Sequence, residues 1–197
     1  GRRISELGLD MEQYLKTFTE VLRSDGFIER DSFYEISKRW IHSILYTTRS
    51  DEVISLFSDT TEMRNAHEAL FNSEKMLRNI FDNVQVGVEL YDKEGCLVDI
   101  NTKNLDIFGI AAKEDVLGIN FFENPIVPEE IRRNVRNGQE QSFRLDYPFD
   151  RLGGYYPSRK KGSVQIYTKV TMLYDMYGEL VNFLVLNIHN TEINEAH

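Results

Sequence analysis

Apolar and polar residues alternate from Val86 to Tyr91: Val86, Val88 and Leu90 are interleaved with Gly87, Glu89 and Tyr91. A period of two predicts a half-buried strand. Lys93-Glu94-Gly95 supplies a turn, with glycine for a positive φ, and Leu97–Ile100 reads as the return strand. In "TKNLDIFGI" the period changes. Leu105 and Phe108 lie three apart, on one face of a short helix. "KEDVLGINFFE" predicts a brief helical or turn segment. Pro128 is expected in the first turn of a further helix, where a missing N–H costs nothing, with Ile131 and Val135 as its buried stripe. Three strand-like runs follow, Gln141–Tyr147, Ser163–Tyr174 and Glu179–Ile188, with "DMYG" turning between the last two. Between Arg144 and Gly162, "RLGGYYPSRKKG" reads as loop. Two strands, several short helices and three strands predict an α+β domain, its sheet antiparallel and its helices on one face.

The chain also repeats itself. "DTTEMRNAH" at Asp59–His67 corresponds to "HNTEINEAH" at His189–His197, Thr61-Glu62 falling on Thr191-Glu192 and Ala66-His67 on Ala196-His197. Each phrase follows an apolar strand. Further upstream, "GRRISEL" aligns with "GINFFEN", and each precedes a helical stretch that stops at Gly26 or Gly138. Residues 1–66 therefore read as the back half of a unit that residues 77–194 contain whole, the second copy carrying an insertion near 144–162.

Between the copies lies a helix. Asp59 and Glu62 have capping-box spacing, with Asp59 expected to accept from the third helical amide and Glu62 to reach back. Met63, Leu70, Leu77 and Val84 recur every seven residues, and Ala66, Ser73 and Ile80 occupy the other seam position. That pattern suits a two-stranded coiled coil with one polar layer. An amphipathic helix folded back on its own sheet is the alternative, since Phe71 and Phe81 lie off the seam. A half unit with open strand edges also favours pairing, so a homodimer is expected.

Composition narrows the functions. A net charge of −9 with the acid excess spread over both parts excludes the clustered basic surface that nucleic acid needs. No apolar run approaches the ~20 residues of a membrane span, so no membrane contact by this segment is expected. One cysteine, Cys96, excludes an internal disulfide and suits a reducing, cytoplasmic compartment; the residue itself reads as a small buried hydrophobe. The catalytic motifs of hydrolases, metalloproteases and phosphate-binding loops are missing, and no catalytic residue is assigned.

The stretch "NVQVGVELYDKEGCLVDIN", followed by "LDIFGI", resembles the front of a PAS domain, with Asp92, Gly95, Asn101 and Gly109 at the matching places. "SDTTE" resembles the motif that closes such domains, and His189 stands where the second copy would carry its Asp. The resemblance implies a five-stranded antiparallel sheet with short helices on one face, preceded by a partial PAS unit and a connecting helix. Its parts are then 1–62, 63–84 and 85–194. It implies a sensory or relay role in a two-component protein, with an adjacent kinase domain on the parent chain, or a ligand-free dimerisation scaffold. Asp59, Thr61 and Glu62 would couple the first unit to the helix. A small molecule could sit between sheet and helices, with Arg144, Tyr147, Phe108, Phe122 and Phe183 as candidate contacts. Its identity is open. Haem is disfavoured because "PEEIRRNVRN" offers no axial ligand, and photoactive flavin because Cys96 lacks the expected neighbours.

Overall fold

A computed structural model describes residues 11–24, 26–48 and 52–189. The chain divides into two compact units, at Lys75/Met76. The opening "GRRISEL" and the second copy of the repeated phrase beyond His189 lie outside the described residues.

The first unit begins with α1 (Met11–Arg23), followed by β1 (Phe27–Tyr34), β2 (Arg39–Thr47) and β3 (Val53–Asp59) in an antiparallel sheet of order β1-β2-β3. Alternate residues of β2, Ile41, Ser43 and Leu45, are buried, as are Val21 and Thr17 of α1, and α1 packs on this strand. Helix α2 (Thr61–Asn83) follows; Thr61–Lys75 belongs to the first unit and Met76–Asn83 to the second.

The second unit holds β4 (Gly87–Asp92), β5 (Leu97–Ile100), α3 (Thr102–Phe108), α4 (Glu129–Arg136), β6 (Gln141–Pro148), β7 (Ser163–Tyr174) and β8 (Leu180–His189). Its five strands form an antiparallel sheet of order β5-β4-β8-β7-β6. The expected α+β architecture is thus present. The order α1-β1-β2-β3 in the first unit repeats α4-β6-β7-β8 in the second.

One sheet face carries the core. Val164, Ile166, Val170 and Met172 of β7 point inward with Phe183 and Val185 of β8. Val135 closes α4 onto this layer. Pro128 caps α4 from just outside rather than sitting in its first turn. The buried face of α3 is Asn104, Ile107 and Phe108, with Leu105 only half-buried. That helix approaches β4 closely because Gly87 has no side chain: a Cβ there would sit 2.3 Å from Asn104 Oδ1 and 3.0 Å from Ile107 Cδ1.

The segment read as loop is a packed strap. After β6 the chain makes a short 3₁₀ turn at Phe149–Arg151, and Phe149, Leu152 and Tyr156 are buried in the core. Burying each large apolar side chain is worth about 1.5–3 kcal/mol, enough to hold a segment without regular structure. The strap also ties to the end of α3. Ser158 Oγ donates to the Phe108 carbonyl at 2.6 Å, and Arg159 N–H to the Gly109 carbonyl at 2.8 Å. Gly109 caps α3 at φ 68°, a left-handed conformation open to glycine at no steric cost.

Candidate functional site

Between the sheet and the short helices lies a cavity with about 40 Å³ open to the centre of a water-sized sphere, more than the ~10–15 Å³ that one water needs. Its wall is apolar and aromatic, broken by Glu89, Thr168, Asn187, Asn124 and tyrosines. Glu89 and Tyr91 reach it because the inner face of β4 is Gly87, Glu89 and Tyr91. The alternation of Val86, Val88 and Leu90 marks the other face, although Val88 too is buried. The apolar set misleads because β4 lies second in the sheet with both faces partly covered.

A chain of hydrogen bonds runs through the core beside the cavity. Thr168 Oγ1 donates to Asn187 Oδ1 at 2.8 Å, and Asn187 Nδ2 to Asn104 Oδ1 at 3.0 Å. Asn104 Nδ2 donates to Glu89 Oε1 at 2.6 Å, and the Tyr91 hydroxyl to Glu89 Oε2 at 2.9 Å. Buried polar groups are ordinarily paired in this way. The Tyr156 hydroxyl is buried in the same core beside the Tyr147 hydroxyl, with no well-formed hydrogen bond of its own. Burial pushes the Glu89 carboxyl up to about 7, against the hydrogen bonds from Asn104 and Tyr91 that favour its charged form. Burial likewise pushes Tyr147 up to about 12 and raises Tyr91, Tyr155 and Tyr156.

Asn101, fully buried, joins this site to the end of α2. Its Oδ1 accepts from Val88 N–H at 2.8 Å and from Asn104 N–H at 3.0 Å, the latter capping α3. Its Nδ2 donates to the carbonyls of Phe81 and Val86, each at 2.9 Å. Arg78 adds an outer tie, Nη1 to Asp99 Oδ2 at 2.7 Å.

Of the expected ligand contacts, Phe108 and Tyr147 line the cavity and touch edge to face, centroids 4.9 Å apart. Phe183 and Phe122 stand behind the wall, Phe183 stacked on Tyr91 at 5.1 Å. Arg144 is exposed on the other face of β6, in a shallow groove with Asp146 and Gln165. Cys96 is half-buried, facing Asn120 across an isolated bridge. Among the described residues, no group of His, Cys, Asp and Glu could hold a metal ion, and no helix is long and apolar enough to cross a membrane.

At the start of α2 the expected capping box is replaced by another arrangement. Asp59 sits one residue too early to be the cap. Its Oδ1 accepts from Thr61 N–H at 3.0 Å, its Oδ2 pairs with Arg39 at 3.0 Å, and Glu62 does not reach back. Hydrogen bonds from Thr61, with Arg39 alongside, hold its carboxyl below the usual range. Thr61 Oγ1 accepts from Trp40 N–H at 2.9 Å. Asp59 and Thr61 thus fasten the helix start to β2, and Arg64 lies over the Trp40 ring at 4.5 Å.

Sequence reasoning missed Glu89, Asn104, Thr168 and Asn187. A signal existed in Glu89, a carboxylate flanked by apolar residues in a strand whose glycine and tyrosine share its parity.

The sequence pattern of the PAS fold matches residues 75–188, and the chain belongs to the PAS family. The family defines a sensory module. Several solved structures are similar to the chain. An RNA-binding light-oxygen-voltage receptor is 12% identical with a TM-score of 0.50, covering 94% of this chain and 84% of that one. The PAS domain of an HTR-like protein from Haloarcula marismortui is 16% identical with a TM-score of 0.49, covering 64% and 98%. The PAS domain of BvgS from Bordetella pertussis is 19% identical with a TM-score of 0.41, covering 63% and 93%. No curated protein sequence matches the chain.

Proposed function

We propose that this chain is the sensory and relay region of a two-component signalling protein. Its second unit takes up a small ligand and passes the cavity's state to the end of α2. The observation that carries this reading is the continuous set of hydrogen bonds from Glu89 through Asn104 and Asn101 to the Phe81 carbonyl. A ligand that binds one arrangement of Glu89 more tightly than another shifts the equilibrium between them by that difference in affinity. Asn101 then transmits the change, because its four hydrogen bonds cannot all survive a shift of α3 against β4.

The proposal extends to the rest of the chain. The first unit is the back half of a PAS unit, and Asp59, Thr61 and Glu62 form the joint through which it acts on α2. The parent protein is cytoplasmic at this region and carries a histidine kinase as output. The chain is a homodimer paired along α2, which has no buried residue and exposes Met63, Leu70, Leu77 and Ile80. The chain itself performs no catalysis.

The small cavity favours one rival, a ligand-free dimerisation scaffold. Native mass spectrometry with an absorption spectrum, on protein purified without added ligand, separates the two. Extra mass released on denaturation supports the sensor. Bare dimer mass, unchanged after incubation with a library of small metabolites, supports the scaffold.

A further inference from the structure

We infer that the cavity of the second unit is a site for a small protonated alkylamine, held by the Glu89 carboxylate inside a cage of aromatic rings. This deepens the sensory reading and rests on it. Glu89 is half-buried, its carboxyl turned into a largely apolar cavity; a carboxylate withdrawn from water and far from any cation is costly, and such groups are paired or neutralised. Glu89 has no cationic partner. It accepts from two neutral groups, Asn104 and Tyr91, and the cavity it lines contains no Lys, Arg or His. A neutralising charge must therefore come either from a proton or from a ligand that enters the cavity.

The wall specifies the ligand. Phe108, Tyr91, Tyr147, Tyr155 and Tyr156 line the same space, and aromatic faces attract a desolvated ammonium. An anion would meet the Glu89 carboxylate with no compensating cation. The Tyr156 hydroxyl, 7% exposed at the residue level, lies beside the Tyr147 hydroxyl as a donor, and its oxygen accepts from no neighbour. An amine bearing N–H satisfies it and Glu89 together, whereas a quaternary ammonium does not. Carbon substituents on the nitrogen would lie against Ile166, Val185 and the rings.

Proton and amine compete for the same carboxylate. Facing Glu89 are Tyr91 on its own strand, Asn104 on α3, Tyr147 on β6, Tyr155 and Tyr156 on the strap, Thr168 on β7 and Asn187 on β8. Beyond Tyr155, Glu123 and Arg132 act with opposite signs. The tyrosines are raised by burial, so the carboxyl titrates before any of them. Amine affinity should then rise with pH until Glu89 is ionised, near 7, and level off above that.

The experiment is a two-dimensional amide NMR titration of the full chain with dimethylammonium, and with isopropanol and acetate as neutral and anionic probes of similar size. Three heavy atoms cannot bind much tighter than about millimolar, so each probe is taken to about 100 mM. The expected result is a saturable shift at Glu89, Asn104 and Thr168 with dimethylammonium alone, its dissociation constant rising about tenfold per pH unit below 7. Glu89→Gln should abolish this preference, and Tyr156→Phe should weaken the amine several-fold while the amide spectrum elsewhere is kept. Isopropanol or acetate binding as tightly as the amine would overturn the proposal while leaving a ligand sensor. So would amine binding independent of pH and of Glu89. Absence of saturable shifts at the cavity with all three probes would also overturn it, and bare dimer in the mass measurement would then remove the sensory reading separately.

Discussion

Asn104 Nδ2 donates to Glu89 Oε1 across 2.6 Å, so the polar member of the buried face of α3 holds the inward carboxyl of β4. The same Asn104 accepts from Asn187 on β8 and is capped by Asn101. One asparagine thereby sets helix, strand and carboxyl against one another.

Glu89 makes stability depend on pH. Its folded pKa, about 7, lies above the ordinary 4.5, so the native state holds the proton more tightly than the unfolded state. This contribution is fully present below 4.5 and is lost as pH rises through 7. Against wild type, Glu89→Gln is expected to be nearly neutral at pH 4 and more stable by on the order of 3 kcal/mol at pH 8. Urea denaturation across this range checks it. A difference that does not change with pH would show that Glu89 ionises normally.

Asn101→Ala strips four hydrogen bonds from a fully buried side chain and takes the partner in it from the Val88 N–H and from the half-buried Phe81 and Val86 carbonyls. The expected loss is roughly 3–5 kcal/mol in chemical denaturation. A loss below about 1 kcal/mol would mean that these groups find other partners.

Much of the fold was legible because strands with one covered face advertise their period. Ser163–Tyr174 was read with the bounds the strand has, and the pattern of α4 pointed to Val135. The site was less legible. Glu89 and Asn104 are polar residues facing the core, and periodicity assigns such residues to solvent; the parity shared with Gly87 and Tyr91 and the hydrogen bonds from Tyr91, Asn187 and each other hold them inside. The strap gives no periodic signal, because Phe149, Leu152 and Tyr156 follow no regular spacing. Arg144 drew attention by its charge, but strand parity turns it away from the cavity that its neighbours Leu145 and Tyr147 line.

Gly87→Ala tests the close approach of α3. Its Cβ would push Asn104 away from β4, and crowding of this kind typically costs about 1–3 kcal/mol. The bond from Asn104 lowers the Glu89 pKa, so losing it should raise that value further, which carbon NMR of the carboxyl would detect. An unchanged titration would show that Asn104 keeps its contact.

The exposed apolar seam of α2 is expected to pair two chains. Leu77→Glu places a charge in that seam and should weaken the dimer at least about tenfold, since burying an unpaired charge costs well over the 1.4 kcal/mol that factor represents. Sedimentation equilibrium reads it. A wild-type monomer independent of concentration would exclude the dimer.

Amide hydrogen exchange at Val84 and Val88 reports whether the state of Glu89 is felt at the end of α2. The Val84 N–H bonds to Ile80 in the last turn of that helix, and the Val88 N–H to Asn101. Wild type at pH 8 carries an ionised Glu89, and Glu89→Gln a neutral amide in the same place. The two proteins are expected to differ in protection at both amides, with the first unit unchanged. A difference confined to the residues that line the cavity, with Val84 and Val88 exchanging alike, would contradict it.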